Sequence, residues 1–302
     1  MSAVADALHA AGAEVLPGAP LAARTTLRVG GPVRYLVTVR DEAAVRAVLD
    51  VLVTADVPWF VLGRGSNLVV PDAGWPGAAL RLDGALADVA IDGIEVRAGG
   101  AAPLPTVAVR AADAGLAGFA WGVAVPGSIG GAVRTNAGAH GVDLAAALVS
   151  VRVLRPGAAS VEVLPAAALG LRYRGSDLAS DAVVTGATLQ LRAADPSEVR
   201  AEMDDIRAWR RTHQPLHAAT CGSVFRNPPG TSAGALIEAA GLKGRRVGGA
   251  VVSPTHANFI ETAPDARAAD VLRLIDQVRA EVLRSSGVEL RTEVIVLGGA
   301  AA

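Results

Sequence analysis

The chain has 302 residues and a net charge of −1, with 19% charged, 51% apolar and only 3% aromatic residues. That near-neutral balance excludes a nucleic-acid-binding stripe, and no apolar run approaches the ~18 residues of a membrane span. A single cysteine, Cys221, excludes an internal disulfide and a cysteine-built metal cluster. The five histidines show no metal-ligand spacing, so no metal is expected. The first 18 residues lack a basic segment followed by an apolar run and do not read as a signal peptide. A soluble, cytoplasmic protein of two or three domains is expected.

Val33–Val39 is rich in β-branched residues and predicts a strand; Asp41 then caps a helix with Val45, Val48, Leu49 and Leu52 on one face. Val57–Leu62 predicts the next strand, which exits into Gly63-Arg64-Gly65-Ser66-Asn67. This loop is not a Rossmann fingerprint. A third glycine or alanine is needed at position 68, where Leu68 stands, and Leu68-Val69-Val70 continues as strand instead of opening a helix. Short strands follow at Ala79–Leu82, Val89–Ile91 and Ile94–Ala98, then a helix through Leu104, Val107, Ala108 and Ala111 that ends near Gly115.

The segment Val125–Gly141 holds five glycines and a proline among small residues, too little side chain to build a core. Glycine lets backbone approach a ligand closely, and successive backbone N–H groups form nests for anionic oxygens. One such stretch alone reads first as a tight loop packed against a neighbouring strand. Two of them, with Gly63–Asn67, point to a long ligand with a phosphate in its middle.

Leu148–Leu154 and Val183–Leu191 predict strands. Asp195-Pro196 opens a helix with Val199, Met203, Ile206 and Trp209 along one face. A short helix is expected over Gly234–Gly241, a strand–turn–strand over Val251–Glu261, and an amphipathic helix over Ala268–Ser285 stopped by Gly287. Val288–Leu297 predicts a last strand carrying Glu293. A carboxylate inside that apolar strand requires a partner or a proton. On their own, Ser223 reads as a turn or cap residue, Arg174 as a surface charge, and His256 and Asn258 as satisfied core polar groups. Ala166–Ala168 and the run from Gly298 to Ala302 are the only low-complexity patches.

Taken together, Thr26-Leu27-Arg28-Val29-Gly30-Gly31-Pro32, Leu62-Gly63-Arg64-Gly65-Ser66-Asn67-Leu68, Val125-Pro126-Gly127-Ser128-Ile129-Gly130-Gly131-Ala132, Asn136-Ala137-Gly138-Ala139, Tyr173-Arg174, Gln214-Pro215, Gly222-Ser223-Val224-Phe225, Asn227-Pro228 and His256-Ala257-Asn258-Phe259-Ile260 resemble the UDP-N-acetylenolpyruvoylglucosamine reductase family in its shorter form. Each motif is weak, but the colinear set runs from about Thr25 to Leu297. The resemblance implies an α+β fold: a two-subdomain FAD-binding unit of the FAD-linked oxidase (PCMH) type, with a C-terminal α+β substrate domain. The expected boundaries are 1–66, 67–194 and 195–302, with the strand after 293 returning to the first.

The resemblance also implies non-covalent FAD, with NADPH as hydride donor and a UDP-sugar enolpyruvyl ether as substrate, in peptidoglycan precursor synthesis. It implies flavin contacts from Gly63, Arg64, Gly65, Ser66, Asn67, Pro126, Gly127, Ser128, Gly130, Gly131, Asn136, Ala137 and Gly138. Arg174 and Glu293 correspond to the groups that stabilise developing charge, and Ser223 to the proton donor. Tyr173, Arg226, Asn227, Lys243, His256 and Asn258 are candidates for substrate contact. Arg226 stands where the family usually has lysine, and Thr135 and His140 replace a methionine and an aromatic residue. His140 is not expected to link to the flavin. Another FAD-dependent oxidoreductase on the same scaffold, or a nucleotide-binding protein with a decayed site, is the alternative reading. The oligomeric state is left open.

Overall fold

The computed structural model describes residues 3–298; of the alanine-rich C-terminal run only Gly298 falls within them. The chain begins with α1 (Ala3–Ala10), β1 (Glu14–Pro20), β2 (Pro32–Val39), α2 (Glu42–Thr54), β3 (Trp59–Val61), β4 (Leu68–Val69) and β5 (Trp75–Leu82). The hairpin β6 (Val89–Asp92)–β7 (Glu95–Gly99) leads to α3 (Leu104–Asp113), β8 (Leu116–Ala117), α4 (Ile129–Thr135), β9 (Gly138–Ala139) and β10 (Val142–Asp143). Next come β11 (Leu148–Leu154), β12 (Glu162–Pro165), β13 (Val183–Gln190), β14 (Arg192–Ala193), α5 (Pro196–His213) and β15 (Ala219–Ser223). The chain closes with α6 (Ala233–Ala239), β16 (Arg246–Val247), β17 (Ala250–Val252), β18 (Phe259–Thr262), α7 (Ala268–Ser286) and β19 (Ile295–Val296).

Local chemistry accounts for the helix limits. The Asp41 carboxylate accepts from Ala44 N at 2.8 Å and starts α2. Asp195 does the same for Ser197 N at 2.7 Å. The α7 helix buries Val271, Leu274, Ile275, Val278 and Val282 at helical spacing and stops at Gly287, whose φ is 71°. Trp209 departs from expectation: Val199, Met203 and Ile206 are buried, but Trp209 is 43% exposed. Its ring lies edge-on to His140, with centroids 5.1 Å apart.

The described chain forms two compact units. The first takes the residues up to Pro17 together with Tyr35–Gly63 and Gly77–Trp209. It holds a mixed sheet of order β1-β2-β5-β3 and an antiparallel sheet of order β12-β11-β13-β7-β6. Val151 and Val153 of β11 bury into a core shared with α3 and α4. No helix among the described residues is long and apolar enough to cross a membrane.

The second unit takes Gly18–Arg34, Arg64–Pro76 and the residues from Arg210 onward. Its sheet has the order β15-β18-β17-β16, with α7 packed over a core of Cys221, Val252, Ile260, Val271 and Ile275. Two short early stretches thus group with the C-terminal residues. Contacts remote in sequence cause it. β19 pairs in parallel with β4, Ile295 opposite Leu68. The Asp72 carboxylate accepts from Ala268 N and Ala269 N at 2.9 and 3.0 Å, capping α7 from far upstream. Gly31 is packed so tightly on this turn that a Cβ there would meet Asp72 O at 2.1 Å.

Strand β19 is shorter than the expected Val288–Leu297. Thr292 makes an isolated bridge to Phe225, and only Ile295–Val296 run as strand. Glu293 therefore precedes the strand and is half-buried. Its partner β4 is only two residues long, which limits the ladder.

Candidate active site

In the first unit the glycine stretch after β3 meets the one before α4. A Cβ on Gly63 would lie 3.0 Å from Ser128 Oγ, and one on Gly131 would lie 3.7 Å from the same oxygen. Ser128 is the N-cap residue of α4, yet its hydroxyl makes no cap bond. The loop is held from behind: Gly127 O accepts from Leu104 N at 3.0 Å, Ile129 N donates to Ala102 O at 3.0 Å, and Gly130 N donates to Gly100 O at 2.8 Å. The backbone N–H groups of Gly127 and Ser128 donate to no protein acceptor among the described residues. The supporting Gly100–Ala102 turn was not singled out from the sequence, although Gly99-Gly100 after a strand is a signal for close backbone packing.

Arg64 to Asn67 belong to the second unit. None of their four backbone N–H groups has a protein acceptor among the described residues, although Gly65 itself is buried. The loop's shape comes from Gly65, at φ 61°, packed where a Cβ would meet Arg24 O at 2.3 Å. Thr26 N donates to Gly65 O at 3.1 Å and fixes it from the other side. Successive uncommitted N–H groups on a loop with no room for a Cβ suit a diphosphate. In both units, then, the chain's residues fit a flavin dinucleotide.

Asn136, Ala137 and Gly138 do something else as well. Asn136 ends α4 in the left-handed region, with φ 42°, and is 2% exposed. Its Nδ2 donates to Asp143 Oδ2 at 3.0 Å and to Arg172 O at 3.2 Å, and its Oδ1 accepts from Ala145 N at 3.0 Å. The side chain is thus spent on the protein. β9 and β10 form a hairpin closed by His140 and Gly141, both at positive φ (54° and 80°), as a two-residue turn of this kind requires. Arg174 Nη2 donates to Gly138 O in this hairpin at 3.1 Å. Arg174 itself has φ 55°, a strained conformation for a residue with a side chain. Its guanidinium lies 5.2 Å from the centroid of the Tyr173 ring, which is 54% exposed.

The second unit gathers Ser223, Glu293 and Asn258. Along β15 and β18 the register runs Ala219↔Thr262, Thr220↔Glu261, then Ser223↔Phe259: three residues on one strand span two on the other. This is a β-bulge, and Gly222 supplies the positive φ of 74°. Its effect follows from the two-residue period of a strand. In an unbroken strand Ser223 shares a face with Cys221, which is buried against Ile260. The extra residue moves Ser223 to the opposite face, beside Phe259. Glu293 comes next to it through the backbone, its N–H donating to Val224 O at 2.8 Å. Asn67 Nδ2 donates to Glu293 O at 3.1 Å.

Asn258 is 4% exposed and grips the same strand. Its Oδ1 accepts from Phe225 N at 2.9 Å and its Nδ2 donates to Phe225 O at 2.8 Å, while its own O accepts from Val224 N at 2.9 Å. His256 Nδ1 accepts from Asn258 N at 3.3 Å. Burial, reinforced by the Lys243 cation, pulls the His256 imidazole below its ordinary pKa, so the ring is neutral at pH 7. Lys243 Nζ pairs with Glu238 Oε1 at 2.7 Å. Asn227 Oδ1 accepts from Ala233 N at 3.0 Å, ahead of α6. Arg226 Nε is buried with no hydrogen-bond partner among the described residues, a donor open to an acceptor ligand. Burial pushes the Cys221 thiol up to about 12, so it takes no part in chemistry at neutral pH.

Two family models match separate parts of the chain. Residues 32–163 match the model of an FAD binding domain, and the chain is an FAD-binding oxidoreductase. Residues 214–297 match the model described as UDP-N-acetylenolpyruvoylglucosamine reductase, C-terminal domain. The chain is 44% identical over 280 residues to UDP-N-acetylenolpyruvoylglucosamine reductase 2 of Symbiobacterium thermophilum, covering 92% of this chain and 91% of that protein. It is 38% identical to the Bacillus subtilis reductase of the same name, covering 95% of each. The crystal structure of the Thermus caldophilus reductase superposes with a TM-score of 0.81 at 36% identity, covering 94% of this chain and 98% of that one. The chain belongs to the UDP-N-acetylenolpyruvoylglucosamine reductase family.

Proposed function

We propose that the protein reduces the enolpyruvyl ether of a UDP-amino sugar to the corresponding lactyl ether, with NADPH as reductant, in the cytoplasmic phase of peptidoglycan precursor synthesis. FAD, when bound, would supply the two-electron chemistry that couples oxidation of NADPH to reduction of the enolpyruvyl double bond. In this reading the uncommitted amides of Arg64 to Asn67 hold the diphosphate of the cofactor, and Gly127 and Ser128 are flavin contacts of the first unit. Gly63, Pro126, Gly130 and Gly131 leave room for its rings, and Asn136 to Gly138 shape the loop around them.

Hydride arrival at the methylene puts negative charge on the neighbouring carbon and its carboxylate. The Arg174 guanidinium, a fixed charge with a forked donor geometry, faces that carboxylate in this reading. Ser223 gives its hydroxyl proton to the carbon, which the high basicity of that carbon makes feasible. A protonated Glu293 adds a second donor to the developing oxyanion. Arg226, with its uncommitted Nε, and Asn227 contact the UDP diphosphate, with His256 as a neutral hydrogen-bonding group and Lys243 and Tyr173 at the periphery. Residues 1–66 and 67–194 act as the flavin subdomains and 195–302 as the substrate domain.

The reading rests on one observation above all: a bulge that carries Ser223 off the core face and beside the backbone of Glu293. The test separates the two half-reactions. NADPH is expected to bleach the flavin without oxygen, and the enolpyruvyl UDP-sugar to restore its colour. Ser223→Ala is expected to slow the second step by about 10²–10³-fold, leaving the first intact. Flavin that stays reduced when the wild-type protein meets the UDP-sugar overturns the assignment.

A further inference from the structure

The Asn258 side chain was a candidate for touching substrate, but its amide is committed elsewhere. Both of its hydrogen-bonding ends close on one residue, Phe225, in a ring of two bonds at 2.8 and 2.9 Å between groups that are buried. The arrangement imitates a β-ladder pair, with a side-chain amide in place of a neighbouring strand. It occurs where the ladder itself fails. β15 ends at Ser223 and its register has just slipped by one residue. Val224 and Phe225 lie beyond the strand. Without Asn258, the buried Phe225 N–H loses its acceptor.

Val224 is held between the two parts of this arrangement. Its N–H donates to Asn258 O, and its O accepts from Glu293 N. Phe225 bridges to Thr292 on the same side, and Arg226 N donates to Arg291 O at 2.9 Å. A shift of Phe225 therefore moves Ser223 on one flank and Glu293 on the other. Ser223 is the last paired residue of β15, opposite Phe259, and Gly222 before it is the most permissive residue available.

We infer that Asn258 is a positioning residue for the protonation step: it locks the bulged end of β15 so that the Ser223 hydroxyl and Glu293 keep a fixed separation. The inference rests on the assignment of Ser223 as proton donor. Asn258 acts through Ser223 and makes no contact with substrate.

The test is a double-mutant cycle on the FAD-loaded protein, read as the rate of flavin reoxidation by the enolpyruvyl UDP-sugar. Asn258→Ala is expected to slow that step by about 10–100-fold, the cost of a misplaced reacting group. In a Ser223→Ala background the same change is expected to add less than about threefold, because residues acting as one unit are not additive. Asn258→Asp keeps the acceptor for Phe225 N and loses the donor to Phe225 O. It is expected to fall between wild type and Asn258→Ala, and it carries the test if the alanine variant does not fold. A reoxidation rate in either variant equal to wild type, or equal losses in the presence and absence of Ser223, overturns the positioning role. If Ser223→Ala alone leaves reoxidation unchanged, the assignment of Ser223 fails instead, and the two failures are distinguishable.

Discussion

Arg174 and Ser223 are each presented by a kink in the backbone, and the two kinks are made differently. Arg174 occupies the left-handed region itself, at φ 55°. Ser223 leaves that conformation to its neighbour, Gly222, at φ 74°. A residue with a side chain loses roughly 1–2 kcal/mol in this region and glycine loses almost nothing. The first region therefore stores strain at the proposed reacting group and holds it with a bond from Arg174 to Gly138 O. The second places the permissive residue beside the reacting group and restrains the strand with Asn258. A strained position belongs to one residue; a bulge is a property of the whole ladder.

The difference can be broken by substitution. Arg174→Gly is expected to show the largest separation between activity and stability. Turnover should fall by about 10³-fold with the loss of the charge. The melting temperature should hold within ~4 °C, because relief of about 1 kcal/mol of backbone strain offsets a lost hydrogen bond of about 1 kcal/mol. A drop of ten degrees or more by calorimetry removes the idea of stored strain. Gly222→Ala gives the reverse pattern. No atom lies within 4 Å of the new Cβ, so only the conformational cost of about 1 kcal/mol applies. Stability should fall by that amount in urea titration, and turnover by no more than about tenfold.

Thiol labelling sharpens the bulge argument. Ser223→Cys is expected to react with a maleimide at pH 7.5, whereas Cys221, two residues earlier, stays unlabelled until the protein unfolds. Its thiol is fully buried and raised to about 12. Labelling of Cys221 in the folded wild-type protein contradicts the assignment of faces. The smallest effect concerns the first unit's scaffold. Glu42 accepts from Arg152 Nη2 at 2.6 Å and from Thr185 Oγ1 at 2.6 Å. Chiefly through Arg152, its carboxyl sits below the ordinary carboxylate range. A lowered folded value means the contribution is complete above the unfolded value of about 4.3 and is lost as pH falls through the folded one. Glu42→Gln should therefore cost roughly 0.5 kcal/mol at pH 7 and nothing near pH 2; a gap that persists in acid excludes the pair as its source.

Much of the fold was legible. Asp41, Asp195 and Gly287 announced helix ends because capping is local chemistry, and the valine-rich runs of β11 and β13 announced buried strands. The glycine stretches were legible as places of close backbone approach, and Gly63 and Ser128 do meet. What could not be read depends on partners distant in sequence. The expected strand around Glu293 shortened to two residues because β4, its neighbour, has only two to offer. Trp209 follows helical spacing but ends at the surface against His140. The resemblance put Asn136 and Asn258 among the cofactor and substrate contacts; the side chain of Asn136 bonds to Asp143, Ala145 and Arg172, and that of Asn258 to Phe225. The bulge had one local sign, a glycine inside a strand, but only the register shows which way it turns Ser223.

The parallel pairing of β19 with β4 also sets an order of events during synthesis. Asn67 and Glu293, joined by a hydrogen bond, are 226 residues apart in the chain. The loop at Arg64–Asn67 leaves the ribosome first and must wait for 226 further residues before its neighbour exists. Such a long closure is slow and leaves unpaired strand edge exposed in the meantime. For this unit the segment from Glu293 to Val296 is what completes the pairing with Asn67–Val69. A nascent chain stalled before Ile295 carries every motif of the sequence but an unclosed second unit.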